Sequence, residues 1–185
     1  THLPDITVVT PVFLAADPSP AFFVASRGHH ADIGGLTPGS MPPFSESVVD
    51  EGVLIDNFRL VSAGALREAE LLALLAGGDH AARNPQQNVA DLIAQIAANE
   101  KGSLELHAMV AKYGRATVEA YMEHVQDNAE EAVRQVIARL QDGEAALRLD
   151  NGATLRVRVA VDRATRSATI DFSGTSDALP NNFNA

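Results

Sequence analysis

Ile6-Thr7-Val8-Val9-Thr10-Pro11-Val12-Phe13-Leu14 is followed, after Ala15-Ala16-Asp17-Pro18-Ser19-Pro20, by Ala21-Phe22-Phe23-Val24-Ala25-Ser26, and this stretch decides the fold of the first part of the chain. Both flanking runs are rich in β-branched and aromatic side chains, and the segment between them carries turn chemistry, so they read as a β-hairpin. Pro11 has no backbone donor and fits an edge strand or a bulge. A hairpin brings its two outer ends together. His2 and Asp5 precede the first strand, and Gly28-His29-His30-Ala31-Asp32-Ile33-Gly34-Gly35 follows the second. Residues distant in sequence are therefore expected to converge.

Imidazoles and carboxylates are the ligands that zinc, manganese and iron take. On residue type, His2, Asp5 and His29 are candidates to hold one metal ion, with His30 or Asp32 joining them or orienting a ligand from behind. The same residues also read as loop histidines and helix-capping aspartates, because their spacing matches no established metal signature. His80, His107 and His124 stand apart and read as surface or packing residues. Gly34-Gly35 lacks the Gly-x-Gly-x-x-Gly pattern, no Gly-Lys-Ser/Thr loop exists, and no serine sits in a Gly-x-Ser-x-Gly elbow.

Working outward, Leu36-Thr37-Pro38-Gly39-Ser40-Met41-Pro42-Pro43 can be neither helix nor central strand, and reads as a rigid loop that is either a substrate wall or a connector. Val53-Leu54-Ile55 and Phe58-Arg59-Leu60-Val61 are short strand candidates. Leu66 to Leu75 reads as a helix stopped by Gly77-Gly78. Val89, Leu92, Ile93 and Ile96 mark the apolar face of a long helix, which continues imperfectly around Gly102. Val118, Tyr121, Val125, Ala129, Val133 and Val136 mark that of a second. A short break between them predicts an antiparallel helical hairpin over 86–140, each arm spanning roughly 30–40 Å. Asn88, Gln95 and Asn99 fall on one side of the first arm; they read as a wet outer face, or alternatively as the lining of a site. Asp150-Asn151-Gly152 between two alternating runs signals a β-hairpin, and a third strand follows at 167–172. The expected fold class is α+β: a β-hairpin and Gly/Pro loop within 1–75, the helical hairpin, and antiparallel strands over 145–176.

Composition narrows the function. Hydrophobic residues make up 46% and charged residues 21% of 185 residues, as in an ordinary globular domain. The net charge of −10 opposes binding to nucleic acid or to an anionic membrane. The absence of cysteine excludes disulfide and thiolate chemistry and suits a reducing compartment, so a cytoplasmic location is expected. No apolar run approaches the roughly 18 residues of a membrane span. The chain opens at Thr1 without Met and stops at Ala185 without a cap or charged tail, and is expected to be a fragment of a longer polypeptide.

The motifs Thr1-His2-Leu3-Pro4-Asp5-Ile6, Arg27-Gly28-His29-His30-Ala31-Asp32-Ile33-Gly34-Gly35, Thr37-Pro38-Gly39-Ser40-Met41-Pro42-Pro43, Arg83-Asn84-Pro85-Gln86-Gln87-Asn88 and Asp171-Phe172-Ser173-Gly174-Thr175 resemble the hydantoinase B / 5-oxoprolinase family. The Arg-Gly-His-His-Ala-Asp form leans towards its 5-oxoprolinase branch. The resemblance covers the chain in order. It implies an ATP-dependent hydrolase that opens a small cyclic amide, either 5-oxoproline to glutamate or a hydantoin to a carbamoyl amino acid. ATP and Mg would be bound by a hydantoinase A-like partner half, fused or separate, and an oligomer is expected. His2, Asp5 and His29 match the family's metal-ligand positions, for Mn, Zn or Fe. Arg27, His30 and Asp32 are the candidate catalytic residues; Arg27 would steady a substrate carboxylate or phosphate, or serve as a structural ion-pair partner. Two rivals are the alpha-type subunit of an acetone or acetophenone carboxylase and a non-catalytic assembly module for the ATPase half.

Overall fold

The computed structural model describes residues 2–14, 17–40, 42–181 and 184. Thr1, the Ala15-Ala16 turn residues, Met41, and Asn182, Phe183 and Ala185 of the C-terminal stretch lie outside the described residues. The chain divides into two units, 1–108 with 180–185, and 109–179.

In the first unit, strands β1 (Asp5–Val12) and β2 (Phe22–His29) form the expected antiparallel hairpin. Their burial alternates with the pleat. Ile6, Val12 and Phe22 are buried on one face, while Thr7, Val9, Phe23, Arg27 and His29 are exposed on the other. The buried face meets helix α2 (Pro85–Tyr113) through an amide ladder. Gln95 Nε2 donates to Ile6 O and Ser26 O at 2.9 and 3.0 Å, and Asn99 Nδ2 donates to Val8 O and Thr10 Oγ1 at 2.9 and 3.1 Å. Asn88, Gln95 and Asn99 are buried, which corrects the expectation of a wet outer face. The reason is the hairpin's own backbone. Its carbonyls accept the amide hydrogens across the buried face, and a buried amide needs such partners. Asn99→Ala is expected to cost about 1–3 kcal/mol by removing the hydrogen bonds to Val8 O and Thr10 Oγ1, read as a lowered melting temperature of the parent protein.

α2 is continuous through Gly102, where a Cβ would lie 2.8 Å from Val24 Cγ1. That close approach explains why the apolar face faltered there in the sequence. Behind the hairpin, helix α1 (Glu68–Leu75) contributes Leu71 and Leu75 to a core with Ile6, Ile33, Val53, Val89 and Leu92. Of the two stretches expected as strands, 53–55 lies in no ladder and 58–61 enters one only at Val61. That ladder joins β3 (Val61–Ser62) to β4 (Ala65–Leu66), and Arg67 N–H donates to Leu60 O beside it. Val53 is held by one hydrogen bond to Ile33 O and by burial, so β-branched composition there reports packing, not a ladder.

In the second unit, helix α3 (Arg115–Ile137) follows Gly114, and strands β5 (Gly143–Arg148), β6 (Thr154–Asp162) and β7 (Ser167–Asp171) form a three-stranded antiparallel sheet. Arg134 of α3 donates to Thr165 O and Arg166 O, and Arg166 meets Glu131 at 2.7 Å, which ties the helix to the β6–β7 turn. The stripe of α3 is not buried: Tyr121, Val125, Val133 and Val136 are all more than half exposed. Gly114, in a positive-φ conformation, is the whole connection. Among the described residues, no helix is long and apolar enough to cross a membrane.

Candidate metal centre

The hairpin register decides the site. Asp5 and His29 are direct cross-strand partners at its open end, followed on the same face by Thr7 and Arg27. His29 Nδ1 donates to Asp5 Oδ1 at 2.9 Å. This hydrogen bond holds the Asp5 carboxyl below the usual carboxylate range against the opposing effect of burial, and neighbouring His2, His29 and Arg27 add to the lowering. A turn closed by Asp5 N–H donating to His2 O at 3.0 Å folds His2 back over the pair. The His2 and His29 rings meet edge to face at 5.1 Å between centroids. One ligand atom from each of His2, Asp5 and His29 can be chosen so that all lie within 4.8 Å of one another.

These residues fit a divalent cation. Bonds of about 2.1 Å at tetrahedral to octahedral angles put neighbouring donors roughly 3.0–3.4 Å apart, and the Asp5–His29 contact is already at 2.9 Å. His2 Nε2 is buried with no hydrogen-bond partner, an unsatisfied ring nitrogen of the kind a metal would take up. Beside the cluster lies a cavity of about 500 Å³, with His2, Asp5, Thr7 and Asn57 as its polar lining and Val9, Ile55 and Phe58 among its apolar walls. That volume suits a small molecule.

The other expected site residues sit differently. Arg27 is exposed beside the cluster, and its Nε donates to Thr7 Oγ1 at 2.8 Å. His30 is 1% exposed and faces α2, with Asn88 Nδ2 3.0 Å from its Nδ1 and Gln95 Oε1 3.4 Å from its Nε2. Asp32 is a hub. It accepts from Gly34 N–H, Gly39 N–H, Arg83 N–H and Arg83 Nη1, the last at 2.7 Å, while Arg83 Nη2 donates to Gly35 O. Burial acts to raise its pKa, but hydrogen bonds from the Arg83 and Gly34 backbone, the Arg83 guanidinium and Gly39 outweigh it and hold the group low. A depressed carboxyl contributes stability above its unfolded value, near 3.8, and loses it as pH falls through the lower folded value. The melting-temperature gap between wild type and Asp32→Asn should therefore close as the solution is taken below about pH 4, and stay open at neutral pH.

Thr7 was not singled out as a site residue, and Gln95 only as one of three amides that could line a site. Thr7 could have been found from the hairpin register, since it opposes Arg27. Gln95 carried a weak signal in its spacing from Asn88, but its partners lie on strands far away in sequence. His107, expected to have a surface or packing role, is exposed, and its ring nitrogens lie 2.8 Å from Ser103 O and 3.0 Å from Phe13 O.

An α+β chain that carries an imidazole–carboxylate cluster at the open end of a hairpin, beside a small-molecule cavity, is the class these features define. It belongs to the hydantoinase B/oxoprolinase family, whose model matches residues 1–185. The chain is 40% identical to 5-oxoprolinase 1 of Arabidopsis thaliana and 41% identical to 5-oxoprolinase of Dictyostelium discoideum. All of this chain aligns in both cases, and it spans 16% and 15% of those proteins. The crystal structure of an ATP-dependent caprolactamase from Pseudomonas jessenii matches 92% of this chain and 29% of its own, at 25% identity and a TM-score of 0.70.

Proposed function

We propose that this chain is the metal-bearing fragment of a larger hydantoinase B-like domain, in a protein that opens a small cyclic amide at the expense of ATP. The reaction favoured is 5-oxoproline to glutamate, with a hydantoin opened to a carbamoyl amino acid as the variant. The observation that carries this reading is the direct pairing of Asp5 with His29 under a buried, unpartnered His2 nitrogen. Family membership and the names of the relatives, 5-oxoprolinases and an ATP-dependent caprolactamase, support the substrate class.

A lactam carbonyl is a poor electrophile. ATP, bound with Mg in the hydantoinase A-like half, would activate it by phosphorylating its oxygen. His2, Asp5 and His29 would hold the divalent ion, Mn, Zn or Fe, which when bound supplies Lewis acidity and a water of lowered pKa. Arg27 has its Nε occupied by Thr7, which leaves the outer guanidinium nitrogens to pair with a substrate carboxylate or phosphate. The apolar wall at Val9, Ile55 and Phe58 packs the ring methylenes and excludes water. His30 and Asp32 act by holding the hairpin end and the Gly34–Gly39 loop in position. A cytoplasmic location and an oligomeric assembly belong to this reading.

A second reading, a non-catalytic assembly module, draws on one observation, the exposed apolar stripe of α3. The assay that separates them is ATP-dependent hydrolysis of 5-oxoproline and of a hydantoin by the uncut parent protein, with ketone carboxylation as the control reaction. Hydrolysis of either cyclic amide upholds the proposal. Carboxylation alone, or no turnover with any of the three, overturns it. The isolated 185-residue chain is expected to show no turnover.

A further inference from the structure

The Gln95 amide group reaches both strands of the hairpin at once. Its two N–H bonds end on Ile6 O of β1 and Ser26 O of β2. Ile6 pairs with Gly28, the rung next to Asp5–His29. Glycine at 28 makes room for this, since a Cβ there would lie 3.2 Å from Gln95 Cδ. With both amide protons committed to carbonyls, Gln95 must present Oε1 to His30, so the hydrogen between them is carried by His30 Nε2. The opposite nitrogen, Nδ1, accepts from Asn88, whose amide is oriented by its other bond, to Asp32 O at 2.9 Å. Asp91 Oδ2 stands 3.9 Å from the same Nδ1, beyond hydrogen-bond reach. Both ring nitrogens of His30 thus face amides carried on α2.

His30 follows His29 directly, and its backbone N–H donates to Pro4 O at 2.9 Å, next to Asp5. One connected set of contacts therefore grips Pro4 to Ile6 and Gly28 to His30 from behind, on the face turned away from the cluster. Metal ligands must be held to within a few tenths of an ångström, and residues that orient ligands govern affinity. We propose that Gln95, acting through His30 and the strand carbonyls, is a positioning residue for the cation site. It sets the spacing of Asp5 and His29 and thereby the affinity for a divalent ion. This rests on the reading that His2, Asp5 and His29 bind a metal.

Asn99 supplies the control. It clamps the same hairpin in the same way, but at Val8 and Thr10, further from the cluster. The test is titration of Mn(II) alone into metal-stripped, full-length parent protein, with melting temperature recorded for each variant. Gln95→Met should weaken Mn(II) binding by about 10- to 100-fold, while Asn99→Met lowers the melting temperature but keeps wild-type affinity. Gln95→Asn keeps a buried amide while withdrawing it from Ile6 O, and should show the same loss if the methionine variant does not fold. Wild-type affinity in the Gln95 variants, or an equal loss in Asn99→Met, overturns the positioning role alone. His2→Ala binding as wild type, or wild type binding no Mn(II), overturns the metal reading and this inference with it.

Discussion

His29→Ala in the full-length parent protein should lower turnover of the cyclic amide by at least about 100-fold, with the melting temperature little changed. His29 is exposed and carries no core packing, so its removal costs the fold only its contacts to Asp5 and to the His2 ring. The cost to chemistry is much larger, because two of the three donors depend on it. Without the Nδ1 donor, Asp5 loses the main interaction that keeps its carboxyl low, and its cross-strand partner is gone. His2→Ala should match the effect, since it deletes the buried nitrogen that has no other partner. Initial-rate kinetics on both variants check this. Turnover within a few-fold of wild type in both would leave the assembly-module reading standing.

The largest expected loss of stability is at Gly34. Its φ of 93° is a conformation that side chains with a Cβ rarely adopt, and a Cβ there would sit 2.0 Å from His80 O. Neither the backbone of 80–81 nor the loop can yield cheaply. Gly34 N–H is bound to Asp32, Gly35 N–H to His80 O, and Leu36 N–H to Asp50 O. Gly34→Ala should cost about 3 kcal/mol or more, seen as loss of soluble parent protein or a sharply lowered melting temperature. Gly39→Ala, also at positive φ but with open space around its Cβ position, should cost much less. The two substitutions separate steric exclusion from backbone strain.

The Gly34-Gly35 pair illustrates what could and could not be read in advance. The sequence excluded a phosphate loop but offered no reason for two glycines; the reason is the close approach of the 50–51 and 80–81 backbones. The hairpin was legible because alternation and turn chemistry are local. Convergence of His2, Asp5 and His29 followed from it, while the direct pairing of Asp5 with His29 needed the register. The buried amides of α2 were misread for a physical reason. An amide on a helix is ordinarily solvated, and only the hairpin carbonyls lying against α2 turn Gln95 and Asn99 inward. Helix α3 was legible as an element but not in its packing. Its apolar stripe leaves Tyr121 and Val125 exposed.

Anomalous diffraction from crystals of the uncut protein, collected on either side of the absorption edge of the bound metal, addresses the cation directly. The account predicts a single peak about 2.0–2.2 Å from one nitrogen of His2, one of His29 and an oxygen of Asp5. A metal peak elsewhere, or none there while His29 keeps its hydrogen bond to Asp5, would contradict it.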